Sequence, residues 1–476
     1  VQSGSGTAGG ANLTLKLTGS GTQLMSQTAN TLATPLQIDN TGTVQLSTDI
    51  RSDTTCSVLA GTLFMNAKAL ICNGNVTVSS GATLQLIGND YVVPTLNAGS
   101  IVKIVGDGDV AADTYSLPNW SFSNLTISMT DSADSIIPND TLATNLTGYW
   151  KMDEGSGATV DDSSSNNNIG NITNATFSAT VPTTVFSNPY SLSFDGAGDY
   201  LNIGNSSPLG QNKSEISVGA WIRLNNVTGT KDVFGLSTGT STANDRVNMQ
   251  ISADEFKCQG RAGDAETTQA VTTSAANLSI NTWYHVACTI DYANDSIKAY
   301  INAFEFPTTG SVAFTATATS NTVSSTSAIG IDQDKVGNDF SGFIDDVRFY
   351  DRILSKHEIG VLTNGYNSTA ITATTLGNTF TQILGGFTAP TTMNVAGNFV
   401  HSGGTFTHNS GTVVLNGTNQ TISGATTFNN LTKNVSTQRT LTFPAGVTQT
   451  ILGTTSLKGI LGNILYLVSS SPTTRW

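Results

Sequence analysis

Ile297-Lys298-Ala299-Tyr300-Ile301-Asn302 is a strand written in two faces. Successive side chains of an extended chain point to opposite sides, so Ile297, Ala299 and Ile301 share one face while Lys298 and Tyr300 share the other. One apolar and one polar face is the pattern of an antiparallel sheet that covers a core on one side. Upstream, Ser217-Val218-Gly219-Ala220-Trp221-Ile222 and Thr282-Trp283-Tyr284-His285-Val286-Ala287 are further strand-like runs. Within them Trp221 and Trp283 read as core anchors and His285 as a structural histidine, because each stands beside apolar neighbours.

Outward from this centre the composition changes twice. All six Glu fall between Glu154 and Glu358, and beyond Glu358 there is neither Asp nor Glu. Before Glu154 there is Asp but no Glu. Three segments follow: a Thr/Gly/Asn-rich β segment over 1–144, a central segment over 145–364, and a second Thr/Gly/Asn-rich β segment over 365–476.

The two flanks share a style. Thr43-Val44-Gln45-Leu46, Asn75-Val76-Thr77-Val78 and Gly81-Ala82-Thr83-Leu84-Gln85-Leu86 alternate and are split by Gly, Asn and Ser. Gly411-Thr412-Val413-Val414-Leu415-Asn416-Gly417 repeats the style in the last segment. Short alternating runs between turn-forming residues predict strands, and Thr, Val and Gly are poor helix formers. An echo, Phe-x-Asn-Leu-Thr, links Phe122-Ser123-Asn124-Leu125-Thr126 with Phe428-Asn429-Asn430-Leu431-Thr432. Such strand-turn units resemble the β-helical or solenoid stalks of bacterial surface adhesins. The alternative is a pair of Ig-like sandwiches. On the solenoid reading, the last segment supplies about five rungs at ~20–25 residues per coil, and the central segment interrupts one solenoid. On the other reading, three domains follow one another as beads.

The central segment carries an ordered series of phrases. Tyr149-Trp150-Lys151-Met152-Asp153-Glu154-Gly155 comes first, then Leu192-Ser193-Phe194-Asp195-Gly196 with Asp199-Tyr200-Leu201. The Trp221 and Trp283 runs follow, then Phe343-Ile344-Asp345-Asp346-Val347-Arg348-Phe349-Tyr350, and last Leu354-Ser355 with Glu358-Ile359. In this order they resemble the laminin-G-like, concanavalin A-like jelly-roll family in its bacterial branch. The resemblance implies an antiparallel jelly-roll sandwich, inserted between the solenoid-like flanks of an all-β protein. One departure is Tyr300-Ile301-Asn302-Ala303, where the family's turn ends in Gly. The resemblance also implies a structural calcium ion held by Asp345 and Asp195, with Asp153 and Asp199 as further candidates; calcium takes six to eight oxygens from separate turns. The alternative is that Asp195 and Asp199 shape a turn through backbone amides. The loop 161–170, dense in Asp, Ser and Asn, is a further candidate for a divalent ion.

Charged residues make up 11% of the chain, against roughly 25% in a typical soluble protein. A net charge of −13 and 20 dispersed basic residues exclude a nucleic-acid partner. No apolar run approaches the ~20 residues that span a bilayer as a helix. The chain opens at Val1 without a leader, which points to processing or a longer parent. Four cysteines lie as two local pairs, Cys56 with Cys72 and Cys258 with Cys288, and none has C-x-x-C spacing. Two disulfides made outside the cytoplasm follow, the alternative being four buried thiols.

Catalysis finds no support. The Glu-x-Asp-x-x-Glu pattern of glycosidases that resemble this fold is absent, and no Gly-x-Ser-x-Gly elbow stands between a strand and a helix. The chain is therefore read as an extracellular, cell-surface adhesin or carbohydrate- or protein-binding protein, with a glycan or a surface protein as partner. The alternative is a structural subunit of a filament, sheath or surface layer made of copies of itself, and a polysaccharide-active enzyme is the remote one.

Overall fold

The computed structural model describes residues 14–27, 31–138, 141–203, 209–238, 245–323, 326–332, 335–365 and 371–475. The chain divides into two compact units, one made of residues 1–141 with 369–476 and the other of residues 142–368.

The first unit is a β-solenoid. Its strands stack in parallel ladders, one per side of the coil. Val44, Leu63, Leu84, Val102, Leu125, Phe380, Phe399 and Ile422 are successive partners on one side, and all are buried. Tyr115, Ile136, Phe387 and Phe406 stack on a second side. Phe122, Leu376, Val395 and Leu415 stack on a third. Alternation explains the columns, since every second residue turns inward and the Thr and Gln between them face out. Parallel ladders exclude the Ig-like alternative, whose strands run antiparallel.

The echoed phrase marks one kind of corner used on two sides of the coil. Asn124 donates from Nδ2 to Ser100 O (2.9 Å) on one neighbouring rung, and its Oδ1 accepts from Thr379 N (3.2 Å) on the other. Asn430 does the same with Gly411 O (3.4 Å) and Thr454 N (2.7 Å). A corner cannot complete the ladder with backbone alone, so an amide side chain supplies both a donor and an acceptor. In the same unit Cys56 is bonded to Cys72, with Cα atoms 6.0 Å apart.

The second unit is a jelly roll of two antiparallel sheets. The first sheet runs Thr176–Ser178, Ser191–Asp195, Ser341–Tyr350, Glu215–Leu224, Trp283–Asp291, Ser296–Ile301 and Phe304–Glu305, and Leu146–Trp150 also pairs with Ser341–Tyr350. The second is centred on Thr326–Ile329, Thr230–Ser237, Asp245–Ser252 and Glu255–Gly260. Val218, Ala220, Ile222, Val286 and Ile290 meet Phe234, Leu236, Val247, Met249 and Ile251 between them, all fully buried. The Cys258–Cys288 bond crosses this core from sheet to sheet.

Three local expectations resolve here. Because Val218, Ala220 and Ile222 point inward, period two turns Trp221 onto the outer face of the first sheet. It is buried there against His285, ring centroids 5.4 Å apart, and does not anchor the inter-sheet core. Trp283 lies half-buried on the same face beside Phe343. At the Tyr300-to-Ala303 turn, Asn302 and Ala303 both adopt positive φ (50° and 65°), so the hairpin keeps the geometry that glycine would take more easily. The helix Lys356–Thr363 opens on a capping box, in which Ser355 and Glu358 each accept the other's backbone amide, and this accounts for the closing Leu-Ser-x-x-Glu-Ile phrase.

The chain enters and leaves each unit at one place. Within the jelly roll, Asp351 N donates to Asn145 O (3.0 Å) and Arg352 Nε to Thr144 O (2.9 Å). Within the solenoid, Ile371 N donates to Pro138 O (3.0 Å). Replacing residues 142–368 by a short Gly/Ser linker is therefore expected to leave a folded protein with a cooperative melt followed by circular dichroism. Residues 1–141 or 369–476 expressed alone should not fold, since each would expose a rung of the Leu125–Phe380 column. Independent folding of either piece, or an unfolded linker variant, would contradict a shared solenoid.

Candidate functional site

The four aspartates expected to hold calcium fall into two separate groups. Asp195 ends the strand Ser191–Asp195, where its Oδ1 accepts from Ala197 N (2.7 Å). Asp199 Oδ2 accepts from Asp195 N (2.8 Å), and Gly198 N donates to Asp339 Oδ1 (2.7 Å). This pair shapes the turn, as the alternative reading held. Asp195 pairs across the sheet with Ser341, four residues before Asp345. At ~3.3 Å per residue that is on the order of 13 Å, too far for one ion to bridge Asp195 and Asp345. The expected bridge between them is thereby corrected.

Asp345 instead sits with Asp153 and Asp346. Ile344 and Val347 both point into the core, so the two aspartates between them form a bulge, with Asp346 at φ 50° and the register shifting opposite Gly219 and Trp221. Asp345 is fully buried, and Asn188 Nδ2 donates to its Oδ2 (2.9 Å). Burial holds its carboxyl well above the usual range, and Asp346 and Asp153 add to the effect against the amide. Burial likewise pushes Asp153 up to about 6. One oxygen of Asp345 and one of Asp153 are buried without a hydrogen-bond partner. Arg348 pairs with Asp346 (3.2 Å), stacks on Tyr149 at 4.0 Å and donates to its hydroxyl (2.7 Å). Burial and Arg348 push His285 down to about 3, and its Nδ1 meets Thr363 Oγ1 at 3.2 Å, so it ties the helix to the sheet as a neutral ring.

The loop 161–170 is held together by its own carboxylate. Asp162 accepts from Tyr149 N, Ser164 N, Ser164 Oγ, Asn168 N and Asn168 Nδ2, all at 2.8 Å. With its oxygens spent on protein donors, Asp162 shapes the loop.

A second polar layer went unnoticed in the sequence. Val247, Met249 and Ile251 enter the core, so Asn248 and Gln250 face the other way; Phe256 and Cys258 likewise turn Lys257 and Gln259 outward. Gln250 Nε2 donates to Asp232 Oδ1 (2.6 Å), Gln259 Nε2 to Asn248 Oδ1 (3.1 Å) and Lys257 Nζ to Gln250 Oε1 (3.5 Å). Asn338 Nδ2 lies 3.3 Å from both Asp232 Oδ2 and Asp332 Oδ2. Burial, with Asp332 adding, pushes Asp232 up to about 7, and burial with Asp232 and Asp332 raises Asp245 well above the usual range. The signal was available: long amides and charges interleave Val247, Met249, Ile251, Phe256 and Cys258, where the solenoid strands interleave Thr.

Residues 195–360 match the family described as the concanavalin A-like lectin/glucanases superfamily. The inserted unit is a concanavalin A-like jelly roll. Similar solved structures include domain 4 of an extracellular arabinanase from Geobacillus stearothermophilus in complex with arabinotriose, 18% identical with a TM-score of 0.32, covering 47% of this chain and 99% of that one. Another is the botulinum neurotoxin serotype D ligand binding domain in complex with N-acetylneuraminic acid (15%, TM-score 0.35), covering 47% of this chain and 51% of that one. A third is Trypanosoma rangeli sialidase in complex with the inhibitor DANA (17%, TM-score 0.33), where the match spans 46% of this chain and 32% of that one. No curated protein matches the chain.

Asp232 gives the concanavalin-like unit a pH dependence with a definite sign. Its folded-state pKa lies above the ordinary 3.8, so the native state holds a proton that the unfolded state releases. That stabilisation is complete below pH 3.8 and lost as the pH rises to about 7. Asp232→Asn cannot ionise, so its stability relative to wild type should grow between pH 4 and 8, by roughly 4 kcal/mol. Chemical denaturation at both ends of that range tests it; a difference that does not change with pH would contradict the assignment.

Proposed function

We propose that the protein acts outside the cell as a binding protein, in which the solenoid carries a jelly roll that holds carbohydrate on the outer face of its second sheet. The layer of Asn248, Gln250, Gln259, Asp232 and Asn338 carries this reading; the first four are buried and Asn338 is half-buried, so a sugar would meet the layer at Asn338 and be read through the amides bonded behind it. A sugar hydroxyl both donates and accepts, and side-chain amides offer both capacities within one plane. A carboxyl close to half-protonated near neutrality, as burial and Asp332 make Asp232, does the same. Asp232 and Asp332 share the Asn338 amide, which fixes the two carboxyls side by side. The two disulfides support an oxidising compartment. Among the described residues, no helix is long and apolar enough to cross a membrane.

Calcium enters this reading as a structural ion of the jelly roll, held by Asp345 and Asp153. Their orphaned oxygens are what a cation would satisfy, and the ion would pin the bulge that follows Ile344.

The test is binding of the full chain to a glycan array, with the best ligand carried into calorimetry. Asn248→Ala with Gln259→Ala removes one hydrogen-bonded amide pair and should weaken binding at least tenfold, with circular dichroism unchanged. Unchanged affinity in the double variant, or no glycan bound by wild type, would overturn the assignment.

A further inference from the structure

The solenoid carries a carboxylate cluster that has no part in the jelly roll. Between Ile101–Ile104 and Thr114–Ser116 the chain makes a wide corner over 105–113. One rung on, residues 129–134 make the matching corner between Asn124–Ser128 and Ser135–Ile137. Ile104 pairs with Ile127 and Thr114 with Ser135, so the two corners stack at the ~4.8 Å spacing of neighbouring strands. On the following rung the same corner shrinks to Gly385, between Phe380–Leu384 and Gly386–Thr388. The wide corner is therefore a local excursion rather than a need of the coil.

Asp107, Asp109 and Asp113 converge in that excursion, with carboxylate oxygens within 4.8 Å of one another. The neighbouring corner adds a fourth carboxylate. Asp134 is fully buried, and its Oδ1 accepts from Asp113 N (3.1 Å). Its Oδ2 is buried as well and has no hydrogen-bond partner. A Cβ on Gly106, which sits at φ 68°, would come within 2.1 Å of that oxygen, so glycine before Asp107 lets the Asp134 carboxylate lie against the backbone of the wide corner. Asp131 stands at the rim, its Oδ1 taken by Ala133 N (2.9 Å). Burial raises Asp134, and Asp107, Asp113 and Asp131 raise it further. Among the described residues, none of the ion pairs reaches these aspartates.

A buried carboxylate beside three others, with no basic partner, calls for a cation. Ligand chemistry separates the candidates: calcium takes six to eight oxygens, many of them carboxylate, in flexible geometry, whereas magnesium demands a near-ideal octahedron and keeps several of its waters. We propose that Asp107, Asp109, Asp113 and Asp134 bind a calcium ion that staples two successive rungs of the solenoid. Three carboxylates from one corner and one from the next make the ion a cross-link between rungs, at the last described corner before the insertion.

The experiment titrates calcium chloride into chelator-stripped full-length protein by calorimetry and follows melting with and without calcium. Asp109→Asn with Asp113→Asn alters exposed or half-buried positions and should leave the fold intact. It should weaken one class of calcium sites at least tenfold and abolish calcium's upward shift of the solenoid melt, and magnesium should not substitute. Asp345→Asn, which removes a ligand of the ion assigned to the jelly roll, should leave this class and this shift in place. Asp134→Asn gives a second reading, expected to lower affinity even where it also lowers the melting temperature. Calcium binding and melting unchanged in Asp109→Asn/Asp113→Asn, or magnesium bound equally well, would overturn the proposal.

Discussion

Leu125 and Phe380 are neighbours in a parallel ladder, and beside them Asn124 accepts from the amide of Thr379, 255 residues away in sequence. Everything else in the chain is arranged around closing that gap. A ladder tolerates an insertion only if the inserted chain returns to the rung it left. The jelly roll meets this condition from within. Its first strand, Leu146–Trp150, pairs with its last, Ser341–Tyr350, and the bond from Asp351 to Asn145 brings entry and exit together. Loop closure rises only slowly with loop length, and a folded insert with adjacent ends presents the solenoid with a short loop in any case.

The same constraint sorts the polar chemistry. In the solenoid, two corners carry uncharged amides that bond both ways, at Asn124 and Asn430. Charge inside it needs dedicated partners. Lys433 is fully buried yet donates to Gln420 Oε1 (2.5 Å), Gly417 O (3.1 Å) and Thr418 O (3.0 Å), and burial lowers its pKa to about 8. The jelly roll puts its charges on the outer faces of its sheets. There Arg348, Asp346 and Tyr149 form one network, and Asp232, Asp332 and Asn338 another. That contrast follows the composition, which places all six Glu within the insertion.

Alternation made the strands, the inward columns and the all-β class legible, and ordered phrases made the jelly roll legible. Cys56, Cys72, Cys258 and Cys288 announced their pairing by proximity in sequence. What failed was any inference that needed register. Trp221 was placed on the wrong face because its neighbours are apolar, although period two from Val218, Ala220 and Ile222 turns it outward. Asp195 and Asp345 sit on paired strands, but nothing in either phrase says that Asp195 meets Ser341. Asp346 became visible only with the bulge, and Asp134 only when one corner was stacked on the next.

One solenoid runs through both flanks, and a cross-link reads it directly. Thr126 and Thr381 are register partners on the two strands, both partly exposed on the outer side. Parallel neighbours at ~4.8 Å lie within the Cα range of a disulfide. The Thr126→Cys/Thr381→Cys variant should oxidise to a single intramolecular bridge, located by peptide mapping without reductant. Thr126→Cys with Thr442→Cys, on a later rung, should stay reduced. No bridge in the first variant, or equal bridging in both, would contradict the shared solenoid.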